Sequence, residues 1–74
     1  MKQVLHHGHT IVGRAKNIAG LWQPCAYVYW GASGKHKIEL EDENGFTNRQ
    51  EAEDYALRLG THWVNNRLQT SQRL

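Results

Sequence analysis

Tyr27 and Tyr29 stand two residues apart in the run Leu21-Trp22-Gln23-Pro24-Cys25-Ala26-Tyr27-Val28-Tyr29-Trp30. Basic residues recur at the same spacing on either side, as Arg14 and Lys16 before them and Lys35 and Lys37 after them. A spacing of two places side chains on one face of a strand. Cations on such a face can neutralise phosphates, while tyrosine rings stack on bases or rest against sugars. A three-stranded sheet can also lie against a DNA groove. The same residues have a plainer use, because Tyr forms strands well and Lys or Arg keeps an open sheet face soluble.

Other groups with chemical potential are less organised. His6, His7 and His9 cluster, and imidazole is a common metal ligand. A structural zinc site needs four ligands, usually with cysteine, and Cys25 is the sole cysteine, far from them in the sequence. The His-Gly-His stretch therefore reads as a solvated terminus, with no metal site and no cofactor assigned. Cys25 could act as a nucleophile only if a His and a carboxylate converged on it, and no spacing indicates that. Glu39, Glu41, Asp42 and Glu43 read as solvated charges at a strand end and loop. There is no Gly-rich phosphate loop followed by Lys and Ser or Thr, and no Ser-His-Asp arrangement. A chain of 74 residues also has little room for an enclosed substrate pocket. The reading is non-enzymatic.

The elements that must position these residues are legible from periodicity. Residues 10–18, 22–30 and 35–41 read as strands, separated by turn chemistry at Asn17-Ile18-Ala19-Gly20 and Gly31-Ala32-Ser33-Gly34. Residues 48–68 read as one amphipathic helix. Its start carries two capping registers, Thr47 with Gln50 or Asn48 with Glu51, and Asn48 is preferred because Ala52 then occupies the fourth helical position. Ala52, Tyr55, Ala56, Leu59 and Trp63 share one helical face and form the core stripe. Leu57, Val64 and Leu68 form a second stripe, with Glu53, Gly60 and Arg67 between the two.

Three strands in an antiparallel meander, covered on one face by a C-terminal helix, make a two-layer α+β domain. Parity puts Ile11, Ala15, Ala26, Val28, Trp30, Ile38 and Leu40 inward. It leaves Arg14, Lys16, Cys25, Tyr27, Tyr29, Lys35, Lys37 and Glu39 outward, and it also turns His36 inward. The expected core is Ile11, Trp22, Val28, Ile38, Phe46, Tyr55, Leu59 and Trp63. Residues 1–9 and 69–74 are expected to fray, with Val4 and Leu5 the two residues of the first stretch able to enter a strand or pack on the core edge.

The combination Gly20-Leu21-Trp22-Gln23-Pro24, Phe46-Thr47-Asn48-Arg49-Gln50-Glu51-Ala52-Glu53 and Trp63-Val64-Asn65 resembles small uncharacterised bacterial β-β-β-α proteins. The resemblance spans most of the chain and rests on turn, cap and core residues, so it implies a fold and no activity. In general layout the domain is also similar to the sheet-reading domains at the N-termini of some transposon and phage integrases, an analogy of architecture alone.

Composition bounds the rest. The chain is one domain, near the size at which a lone core becomes marginal. A single cysteine and no signal-peptide pattern suit a reducing cytoplasm. No apolar run approaches the roughly 18 residues of a membrane span. Nine basic against seven acidic residues permit a nucleic-acid partner without demanding one. Two functions follow. The chain is an interaction domain that pairs with itself, as a homodimer, or with another protein through Leu57, Val64 and Leu68. Alternatively, it is a nucleic-acid-binding module using Arg14, Lys16, Tyr27, Tyr29, Lys35 and Lys37.

Overall fold

A computed structural model describes residues 1–72, with side chains through residue 69. The elements run β1 (Lys2–His6), β2 (His9–Ile18), β3 (Leu21–Trp30), a 3₁₀ turn (Ala32–Gly34), β4 (His36–Glu41) and α1 (Arg49–Gln72). The strands form one antiparallel meander in the order β1-β2-β3-β4, and α1 covers one face. The α+β class matches the sequence reading, but the sheet has four strands, not three.

The fourth strand comes from residues that the sequence reading left frayed. His7 and Gly8 take φ values of 49° and 74°. Two consecutive positive φ values are what a two-residue type I′ hairpin requires, and His accepts that region more readily than most residues. The turn places Val4 beside Ile11 and Lys2 beside Gly13. Three polar ties then hold β1 to the helix. The Met1 amino group donates to Glu53 Oε2 at 2.7 Å, Lys2 pairs with Asp54, and His6 Nε2 meets Asn65 Oδ1 at 2.8 Å.

The inner face follows the expected parity. Ile11, Val28 and Ile38 lie in one cross-strand row, and Gly13, Ala26 and Leu40 in another. Ile11, Val28 and Val64 are fully buried, with Trp30, Ile38, Leu40, Leu57, Trp63 and Leu68 packed against them. His36 lies on the helix side of the sheet as parity requires, where its ring stacks on half-buried Trp30 at 5.5 Å and 22°, but it stays exposed. Gly31 takes a φ of 86°, a region that favours glycine, and a Cβ there would come 2.8 Å from the His36 ring.

The helix begins where Asn48 caps it: Asn48 Oδ1 accepts from the backbone N–H of Gln50 at 2.8 Å and of Glu51 at 3.2 Å. It continues through Gln72, beyond the expected end at 68; residues 73–74 lie outside the described residues. Its buried positions are Ala52, Glu53, Ala56, Gly60 and Val64. The face against the sheet is therefore centred on Gly60, midway between the two apolar stripes, and both stripes belong to it. Gly60 and Gly13 allow this. A Cβ on Gly60 would collide with Ile11 Cγ2, and one on Gly13 would lie 2.6 Å from the Glu53 carbonyl oxygen and 2.9 Å from Leu57 Cγ. With the helix seated that deeply on a four-stranded sheet, Val64 is enclosed, and Leu57 and Leu68 pack on the core. The geometric reason for assigning self-association to Leu57, Val64 and Leu68 is thereby removed, because the chain covers this stripe itself.

The remaining expected core residues split into two groups. Trp63 joins Trp30, with ring centroids 5.3 Å apart, and Leu59 is half-buried. Trp22, Phe46 and Tyr55 make a half-buried cluster of their own. Trp22 and Phe46 exchange backbone hydrogen bonds of 2.7 and 2.9 Å, the Phe46 and Tyr55 rings lie 5.3 Å apart, and Tyr55 donates to Asp42 Oδ2 at 3.0 Å. That cluster anchors the loop leading into the helix. Among the described residues, no helix is long and apolar enough to cross a membrane.

Candidate nucleic-acid interface

The face of the sheet turned away from α1 is built in cross-strand rows. Arg14, Cys25 and Glu41 form one; Val12, Tyr27 and Glu39 the next; Thr10, Tyr29 and Lys37 the third. Lys16 follows opposite Gln23. Alternation on β2, β3 and β4 thus brings Arg14, Lys16, Tyr27, Tyr29 and Lys37 together as the sequence reading placed them. Lys35 differs. It follows the 3₁₀ turn, where its N–H donates to the Ala32 carbonyl at 3.2 Å, and β4 starts one residue later. Lys35 is exposed beside the sheet, outside its register.

Tyr27 is the centre of the face. The Arg14 guanidinium lies 5.9 Å from its ring centroid and the Lys37 ammonium 5.4 Å, both within the range of cation–π attraction. The two cations approach from β2 and β4, diagonal to Tyr27 in the pleat. Tyr29 is half-buried one pleat further along. A hydrogen bond with the Cys25 thiol holds the Tyr27 phenol above its ordinary value, so it is neutral near pH 7.

Negative charge lies on the same rows, with Glu41 in the row of Arg14 and Glu39 directly opposite Tyr27. Lys16 Nζ donates to Glu41 Oε1 at 2.8 Å, which pushes the lysine up and holds the Glu41 carboxyl below the ordinary carboxylate value. Cys25 is buried, and its thiol donates to Glu39 Oε1 at 3.8 Å. Burial pushes that thiol up, so it is protonated and a weak nucleophile near neutral pH. The donor atoms of Cys25, Glu39 and Glu41 lie within 4.8 Å of one another. Each is already engaged, however: the Cys25 thiol donates to Glu39, and Glu41 pairs with Lys16.

The sequence reading missed this pairing. The signal was present in the alternation of Glu39 and Glu41 with Lys37, but which cation meets which carboxylate depends on strand register. The clustered histidines are drawn into separate roles: His6 ties β1 to α1, and His9 is buried, its ring nitrogen bonded to the His7 carbonyl at 2.7 Å. Comparison with family models, curated proteins and solved structures finds no match to this chain.

Proposed function

We propose that this chain is a non-catalytic nucleic-acid-binding domain that meets its ligand with the outer face of the sheet. The observation that carries the reading is Tyr27, set on an uncovered sheet face between Arg14 and Lys37. Flanking cations suit phosphate oxygens, and the ring suits a base or sugar between them. Tyr29 extends the surface along the same strand. Arg14, Tyr27, Tyr29 and Lys37 form the contacting surface, since Glu41 already neutralises Lys16, and Glu39, opposite Tyr27, borders that surface with negative charge. Binding carried by these cations is expected to be strongly salt-dependent.

The non-catalytic part rests on the same inventory. A hollow of about 170 Å³ is lined by Ile18, Leu21, Gln23, Glu43 and Gly45, small beside ligand pockets of roughly 300–1,000 Å³. It offers one carboxylate and no nucleophile.

The test is fluorescence anisotropy with labelled mixed-sequence single-stranded and duplex DNA, between about 50 and 200 mM salt. The expected result is affinity that falls with salt. Arg14→Gln/Lys37→Gln should lower the salt slope by about two, and Tyr27→Ala should weaken binding by about 1–3 kcal/mol if bases stack there. No binding by the folded wild type at low salt refutes the proposal.

A further inference from the structure

The two edges of the sheet differ. The β4 edge is guarded, because it carries Lys37, Glu39 and Glu41. Natural edge strands use such charges to discourage pairing with another chain. The β1 edge has only Lys2 for that purpose, with no proline. It is also apolar. Of the large hydrophobic residues exposed among the described residues, Met1, Val4 and Leu5 lie on or beside β1, with Leu5 77 % and Val4 40 % exposed.

The backbone on that edge is open in a self-matching pattern. The two-residue turn at His7 and Gly8 makes His6 and His9 the closing hydrogen-bonded pair of the hairpin. Antiparallel ladders alternate from there, so Val4 and Lys2 also bond inward to β2. The N–H and C=O groups of Gln3 and Leu5 therefore point outward, two residues apart. A second β1 running antiparallel, centred on Val4, places Gln3 opposite Leu5 of the copy twice and satisfies all of these groups. Val4 then meets Val4 of the copy on the inner face, where it extends the row begun by fully buried Ile11. Lys2 faces His6 of the copy, so no lysine opposes a lysine.

We infer that two copies of this chain pair through their β1 edges about a two-fold axis at Val4, forming one continuous eight-stranded sheet. Side chains opposite one another in an antiparallel pair share a face. Both helices therefore lie on one side of the joined sheet, and both Tyr27 faces look out from the other. The edge is five residues long, about 17 Å. An edge this short makes a small interface beside the roughly 1,200–2,000 Å² of stable complexes, so the pairing is expected to be weak and concentration-dependent.

The test is mass by light scattering and sedimentation on the untagged chain, from about 10 µM to 1 mM. The expected result is mass rising from one chain to two. Val4→Lys sets two ammonium groups at the axis, and Gln3→Pro removes an outward donor without touching the β1–β2 ladder. Each should weaken pairing about tenfold or more while circular dichroism is unchanged. Should a variant not fold, hydrogen exchange on the wild type decides: the Gln3 and Leu5 amides should exchange more slowly as concentration rises. A wild type that stays monomeric, a mass that climbs past two chains, or amide exchange at Gln3 and Leu5 that ignores concentration overturns the inference.

Discussion

Gly60→Ala separates local propensity from tertiary packing, because the two act in opposite directions. In an exposed helix interior, replacing Gly by Ala stabilises by about 1 kcal/mol. In this fold the new methyl would collide with Ile11 Cγ2 and lie 3.5 Å from Ile11 Cβ and Val28 Cγ2. Ile11 and Val28 are both fully buried, and their strands are paired on both sides, so neither can move far. Overpacking a well-filled core costs about 1–3 kcal/mol, and a contact this close belongs at the upper end. The net expectation is destabilisation by about 1–2 kcal/mol, a large share of what a chain of this size can have. Urea denaturation followed by tryptophan fluorescence reads it as a lower midpoint at constant slope. Combining the change with Ile11→Ala should recover part of the loss relative to additivity, measured with a stabilising osmolyte so that each variant keeps a folded baseline. A Gly60→Ala variant more stable than wild type would refute the close helix–sheet approach.

Three further outcomes follow from the same contacts. Val64→Glu places a carboxylate in the fully buried cluster with Ile11 and Val28, so the variant should lose its cooperative unfolding transition; a folded variant of changed mass would mean Val64 faces outward after all. Asn48→Ala removes the acceptor for two helix N–H groups and should cost about 1 kcal/mol in thermal or urea unfolding, while Asn48→Asp should be nearly neutral. Glu53, buried beside the Met1 amino group and within 3.3 Å of Arg49 Nε, has its carboxyl held below the ordinary value chiefly by the bond from that amino group. The unfolded chain therefore binds the proton first: the contribution is full above the ordinary carboxylate range and fades as pH falls through the folded value. Urea midpoints measured from neutral to acid pH should show less acid sensitivity in Glu53→Gln than in wild type.

Several features of this protein were legible from residue order because they depend on local geometry. Period-two alternation separated Ile11, Val28 and Ile38 from Arg14, Tyr27 and Lys37, and the pleat leaves a strand no other choice. The Asn48 cap was legible because capping involves residues two and three positions apart. Even the helix-side placement of His36 followed from parity, although its partner Trp30 did not. Only the tertiary structure decided the rest, and in each case the deciding contact joins residues distant in sequence. β1 has a weak pattern of its own and becomes a strand because β2 pairs with it and Glu53, Asp54 and Asn65 hold it from the helix. The helix phase turned on Gly60, since a missing side chain carries no hydrophobic signal yet lets Ile11 in and draws both apolar stripes into one buried face. On the outer face, strand register set Lys16 against Glu41 and left Tyr27 between Arg14 and Lys37. Alternation assigns a residue to a face but not to a neighbour, and the neighbour determines the local charge.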